Sequence, residues 1–138
     1  MGRIDSIDIK ILSILEENAR TKFTDIAKTL NLTEAAIRKR IKKLEENQII
    51  KRYSIDIDYK KLGYNMAIIG LDIDMDYFPK IIKELEKRKE FLHIYSSAGD
   101  HDIMVIAIYK DLEEIYNYLK NLKGVKRVCP AIIIDQIK

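Results

Sequence analysis

The chain has 138 residues, 47 % hydrophobic and 34 % charged, enough for one medium domain or two small ones with a real core. Its longest apolar runs, Met66 to Leu71 and Ala131 to Ile134, fall far short of the roughly 20 residues of a membrane span, and no positive, apolar leader precedes Arg3, so a soluble, cytoplasmic protein with no membrane partner is expected. The net charge of +3 conceals a division: residues 1–52 carry 12 Lys or Arg against 8 Asp or Glu, whereas residues 53–138 carry 13 against 14, so the first part is the one suited to a polyanion.

The single cysteine, Cys129, cannot form an internal disulfide, which fits a reducing compartment, and beside Pro130 it reads as a small buried apolar residue. Abundant Ile and Lys, glutamine only at Gln48 and Gln136, and no Trp resemble the usage of thermophiles. Met1, Gly2 and Ser6 fit the loose myristoylation rule, but Ser6 also falls at a helix start and so has a structural explanation.

In chain order, Asp5 caps a first helix whose Ile7, Ile11, Ile14 and Leu15 recur at helical spacing up to Asn18. A second helix starts at Thr24, buries Ile26, Ala27 and Leu30, and stops at Asn31-Leu32. Thr33 caps a third, basic helix striped by Ile37, Ile41 and Leu44. Two helices joined by a three-residue break, the second basic, predict a helix-turn-helix within residues 1–50. From Ile50 the period becomes two, with Tyr53, Ile55 and Ile57 alternating with polar residues; this predicts a hinge strand, followed by a linker to Tyr64 that turns at Gly63, together 51–64.

Residues 65–138 alternate strand and helix cues. A strand over Ala67–Asp74 leads to a helix opened by Asp76, with Pro79 tolerated in its first turn. Strands over Phe91–Ser97 and Ile103–Tyr109 flank Gly99-Asp100-His101-Asp102. A helix capped by Asp111 stops at Gly124, and a strand runs over Val125–Ile137. The order strand, helix, strand, strand, helix, strand matches the ferredoxin-like βαββαβ unit, so the fold class is α+β. Several strands are apolar on both faces while helices cover only one, which predicts a homodimer.

With Ile37 at the centre of the buried stripe and about 100° per residue, Ala35, Lys39 and Lys42 point away from it, flanked by Arg38 and Lys43. Such a face suits a major groove: cations for base edges and phosphates, and Ala35 and Ala36 for close backbone approach. Thr33 and the free amides at the helix start can grip a phosphate, and Lys51 and Arg52 can hold flanking backbone, so the expected partner is double-stranded DNA.

Chemical sites are poorly supported by spacing. Asp72, Asp74 and Asp76 begin like a calcium loop, but its sixth position is Tyr77 and its twelfth Lys83. His93, His101 and Cys129 are spread over three elements without ligand spacing, so no metal site is expected. A Cys-His hydrolase would need Cys129 on an accessible turn near a histidine, and neither a phosphate-binding loop nor a nucleophile elbow is present, so no catalytic residues, no enzyme activity and no cofactor are expected. The Gly99–Asp102 stretch has two readings: a hairpin turn, or a sensing turn using backbone amides for a ligand carboxylate and Asp100 or Asp102 for its ammonium, with His101 toward the ligand or a neighbouring dimer.

Together, IDSIDIKILSILEENAR at the start, the helix-turn-helix from Thr24 to Asn47, IIKRYSIDID, Gly99-Asp100-His101-Asp102 and LKGVKRV resemble the leucine-responsive regulator/AsnC (Lrp/AsnC) family of transcription factors, nearly end to end and in order. The resemblance implies a winged helix-turn-helix, a ferredoxin-like domain that dimerises through its sheet and often assembles further into octamers, and, as in some members, an amino-acid effector bound between dimers near the turn that here is Ala98, Gly99, Asp100, His101 and Asp102. Two positions depart from the family. Gln48 follows Asn47 where glycine is usual, and Asn47 is expected to take the left-handed cap. Ala98 stands where the family tends to have Ser or Thr. The alternatives to a DNA-binding regulator are a small-molecule-binding oligomer whose basic helix docks a protein, and an RNA-associated winged-helix protein.

Overall fold

The computed structural model describes residues 3–138 and divides into two compact units, the second beginning at Ile57. Met1 and Gly2, on which the myristoylation pattern depends, lie outside the described residues.

The first unit is built from three helices, α1 (Ser6–Glu17), α2 (Phe23–Leu30) and α3 (Glu34–Glu46). Asp5 starts α1 with a reciprocal capping box: its carboxylate accepts from the Asp8 amide at 2.9 Å, and Asp8 accepts from the Asp5 amide at 3.1 Å. Caps of this kind contribute about 1 kcal/mol each. Helix α2 begins at Phe23, one residue before the predicted start, and Asn31 ends it in the left-handed conformation at φ 54°. Thr33 caps α3, its hydroxyl accepting from the Ala36 amide at 3.1 Å. Ile11, Ile26, Ile37 and Ile41 form a fully or almost fully buried core, with Leu44 at the end of the stripe. Each contributes roughly 1.5–3 kcal/mol by leaving water.

The end of α3 differs from expectation. Asn47 stays right-handed at φ −84°, and Gln48 itself takes φ +56°. The Gln48 amide donates to the Glu45 carbonyl and the Ile49 amide to the Leu44 carbonyl, which is the paired closure of a Schellman cap. Gln48 therefore occupies the left-handed position that glycine would fill without side-chain cost.

The predicted hinge strand from Ile50 is not formed. Lys51–Asp58 is irregular, with Tyr53 49 % and Ile55 81 % exposed. A strand needs a neighbour to satisfy its amides and carbonyls, and among the described residues of this chain the first unit has no strand beside it. The linker forms a short 3₁₀ turn, Tyr59–Leu62, capped by Asp58 and closed by Gly63 at φ +86°.

The second unit has the predicted order: β1 (Asn65–Ile73), α4 (Phe78–Glu86), β2 (Phe91–Ser96), β3 (Ile103–Tyr109), α5 (Leu112–Lys120) and β4 (Val125–Ile133). Its antiparallel sheet runs β2-β3-β1-β4, placing the sequence-distant β1 and β3 at the centre. Helix α4 starts two residues after Asp76, because Asp74 instead caps a 3₁₀ turn over Met75–Tyr77. β4 ends at Ile133 rather than Ile137, leaving Ile134 and Ile137 75 % and 93 % exposed. Ala67, Ile69, Leu71, Ile103, Val105 and Ala107 are buried with Ile81 and Leu85 of α4 and Ile115 and Leu119 of α5. The alternate positions, Met66, Ile68, Gly70 and Asp72 on β1 with Met104 and Ile106 on β3, lie on the other face.

Candidate functional site

Helix α3 presents the face predicted for it. Ala35, Arg38, Lys39, Lys42 and Lys43 are exposed, Ala36 is half-buried, and Glu34, Ala35, Arg38, Lys39 and Lys42 line one open depression. Thr33 is committed as acceptor to the helix cap, so its hydroxyl proton is what remains for an anion. The cations are not equivalent. Arg38 forms an i,i+4 pair with Glu34 at 2.7 Å and lies 5.0 Å over the Phe23 ring, which holds the guanidinium near the start of the helix. Lys42 reaches Glu46 only at 4.0 Å, while Lys39 and Lys43 have no carboxylate partner among the described residues. Lys51 and Arg52 are exposed in the irregular segment that follows.

Arg40 belongs to the scaffold instead. Its Nη1 donates to both Asp5 oxygens at 2.9 and 2.8 Å and to Asp8 at 3.0 Å, tying α3 to the start of α1. Asp8 is the one buried charged residue described. The Asp8 amide and then the Arg40 guanidinium push the Asp5 carboxyl down to about 2. A depressed carboxyl stabilises the fold above its unfolded value near 3.8, and the contribution is lost as pH falls toward 2. Arg40→Met is expected to cost about 1–3 kcal/mol at neutral pH by stranding Asp8. It should also make the fall in melting temperature between pH 4 and 2 shallower, though not flat, because the Asp8 amide remains. Thermal melts across that range check both; an unchanged acid limb would count against the clamp.

The Gly99–Asp102 stretch is a turn between β2 and β3, braced from both sides. The Ser97 amide donates to the Asp102 carbonyl at 2.9 Å, and the Ser97 hydroxyl to the His101 carbonyl at 2.7 Å. Asp102 clamps it to β1: its amide donates to the Leu71 carbonyl at 2.9 Å and its carboxylate accepts from the Ile73 amide at 2.9 Å. Gly99 sits at φ +121°, a conformation that favours glycine. His101 folds inward over the sheet, with Nδ1 2.8 Å from Asp72 Oδ1. Ala98, Gly99 and Asp100 stay exposed, so the turn divides into a structural part and an accessible part.

A family model of the AsnC-type helix-turn-helix domain matches residues 4–45, and one of the Lrp/AsnC ligand binding domain matches residues 66–138. The chain belongs to the Lrp/AsnC family. Within it, the chain is 44 % identical to the HTH-type transcriptional regulator LrpA of Pyrococcus abyssi, over 98 % of this chain and 99 % of that protein. The crystal structure of PH0061 superposes with a TM-score of 0.89 at 28 % identity, covering 100 % of this chain and 97 % of that one. The regulator NMB0573 of Neisseria meningitidis, solved as an L-Met complex, shares the fold with a TM-score of 0.84 at 23 % identity, over 99 % and 93 % of the two chains.

Against the Lrp/AsnC pattern both departures now have a structural setting. Gln48 supplies the left-handed residue after α3 in person, so the helix still ends where it should. The hydroxyl missing at Ala98 has a neighbour in Ser97, but that hydroxyl is consumed inside the turn. Residue spacing could have revealed the Glu34–Arg38 pair, which is i,i+4. It could not have revealed the Arg40 clamp, whose partners lie 35 and 32 residues away.

Proposed function

We propose that this Lrp/AsnC-family protein is a sequence-specific DNA-binding transcription regulator and not an enzyme. The observation that carries the reading is the exposed face of α3: capped by Thr33, small at Ala35 and Ala36, cationic at Arg38, Lys39, Lys42 and Lys43, and fixed to α1 by Arg40. Arg38 and Lys39, nearest the helix start, are assigned to base edges and adjacent phosphates, and Lys42, Lys43, Lys51 and Arg52 to the backbone. The name of the LrpA relative supports the same role. No helix among the described residues is long and apolar enough to cross a membrane, and the proposed place of action is the cytoplasm, with the DNA. Fluorescence anisotropy with labelled duplex tests the reading: affinity should fall steeply as salt rises, and duplex RNA should compete poorly. Binding of a small molecule without binding of duplex DNA would instead favour a metabolic oligomer whose helix docks a protein.

The working unit is assigned as a homodimer joined through the open sheet face, with octamers as the higher assembly. Met66, Ile68, Met104 and Ile106 make that face apolar, and Ile68 at its centre is 37 % exposed in the single chain.

An amino acid is assigned as effector at a subunit interface. The backbone of Ala98–Asp100 would receive its carboxylate and Asp100 its ammonium, while His101 and Asp102 hold the turn in shape. The ligand-binding family model and the L-Met complex of NMB0573 support the ligand class. A thermal-shift panel of free amino acids should yield at least one that raises the melting temperature, with the shift reduced in Asp100→Ala. A shift fully retained in that variant would remove Asp100 from the site.

A further inference from the structure

We propose that Asp72, His101 and Cys129 form a site for a divalent cation of the zinc class. The three residues belong to different elements, β1, the turn before β3, and β4, and no sequence spacing links them. Sheet register does. Gly70 pairs with Cys129 and Asp72 pairs with Arg127, two positions along the β1–β4 ladder, so the two pairs are successive on one face of the sheet while Leu71–Val128 between them faces the other way. The His101 ring lies on the strand surface at Gly70, so closely that a Cβ there would stand 2.3 Å from Cδ2 and 2.7 Å from Nε2. Only glycine at position 70 leaves room for the imidazole beside the thiol.

One carboxylate oxygen, one imidazole nitrogen and the Cys129 sulfur lie within 4.8 Å of one another, and all three side chains are half-buried. A tetrahedral ion with bonds of about 2.0–2.3 Å keeps its ligand atoms roughly 3.3–3.8 Å apart. The most separated pair therefore needs to close by no more than about 1–1.5 Å to bind a metal. The ring is already placed, since Nδ1 lies 2.8 Å from Asp72 Oδ1 and the braced turn holds the His101 backbone; on binding, the hydrogen bond between these two atoms gives way to a bond from each to the ion, and the ring proton sits on Nε2. The second Asp72 oxygen has only Arg127 Nε at 3.9 Å, on a side chain 70 % exposed that can swing into solvent.

The donor set selects the ion. Thiolate and imidazole disfavour calcium and magnesium, which take oxygen ligands, and suit a borderline-soft ion such as Zn²⁺. Three protein ligands leave one tetrahedral position for a water molecule, on the sheet face assigned above to the dimer. Binding releases the Cys129 thiol proton to solvent, and the thiolate becomes the ligand.

The test uses the full chain, stripped with chelator and kept reduced, titrated with Co²⁺. A thiolate-to-cobalt charge-transfer band with intense tetrahedral visible bands should saturate at one ion per chain and disappear on addition of Zn²⁺. Cys129→Ser should abolish the charge-transfer band. His101→Ala and Asp72→Asn should weaken Co²⁺ affinity at least ten-fold, and His93→Ala should leave it unchanged, with circular dichroism confirming that each variant is folded. Absence of a thiolate band at excess Co²⁺, or an undiminished affinity in folded His101→Ala, would overturn the site.

Discussion

Replacing Arg38 and Lys39 together with alanine is expected to weaken binding to a specific duplex by about 2–6 kcal/mol, since each base-directed cation contributes roughly 1–3 kcal/mol. Both side chains are exposed, and the variant gives up only the exposed Arg38–Glu34 pair and the Arg38 contact over Phe23, so it should melt only slightly below the parent. The plot of log affinity against log salt should also flatten by about 0.9 for each phosphate contact removed. Lys42→Ala and Lys43→Ala should behave differently, weakening specific and non-specific duplexes alike because phosphates carry no sequence information. Glu34 adds a refinement. It holds Arg38 at 2.7 Å in the free protein, and that pair is exposed enough to be exchanged for a phosphate at little cost. A double variant that binds as tightly as the parent, with an unchanged salt slope, would remove α3 from the interface.

Ile68→Lys is the second large effect. Ile68 pairs with Ile106 on one side and Ala131 on the other, at the middle of the face assigned to the dimer. Its neighbours on the opposite face, Ala67 and Ile69, are buried, so the substitution leaves the chain's own core untouched. A lysine there places an unpaired charge, and across a two-fold axis two of them, in a surface that must lose water to associate. Analytical ultracentrifugation should show the mass fall to that of one chain. Duplex affinity should fall by a factor of about 10² or more, because the second helix no longer binds as part of the same complex. A variant that stays dimeric would mean that the chains join through some other surface.

Local chemistry was readable in the sequence where one residue acts on its near neighbours. Asp5, Thr33 and Asp111 each cap the helix expected of them, Gly63 and Gly124 turn where a turn was expected, and the 3.6-residue stripes mark the buried faces. Alternation at Tyr53, Ile55 and Ile57 was misleading, because period two reports which side chains could share a face and not whether a neighbouring strand exists. Gln48 was missed because its left-handed conformation follows from how the Schellman closure falls, and Asn47 had the stronger intrinsic preference. The convergence of Asp72, His101 and Cys129 was out of reach altogether. It depends on the register of β1 against β4 and on an imidazole fitting over Gly70, and neither is encoded within any window of adjacent residues. For the same reason nothing in the residues around Arg40 marks it as the strut that holds α3 in place; only its distant partners do.

Selection of bound fragments from random duplex DNA tests the central claim most directly. A dimer presenting two α3 helices about a two-fold axis should enrich a palindrome whose half-sites lie about one helical turn, roughly 34 Å, or a multiple of it, apart. Failure to enrich any sequence over repeated rounds, with the protein folded and dimeric, would contradict the assignment of this chain as a sequence-specific regulator.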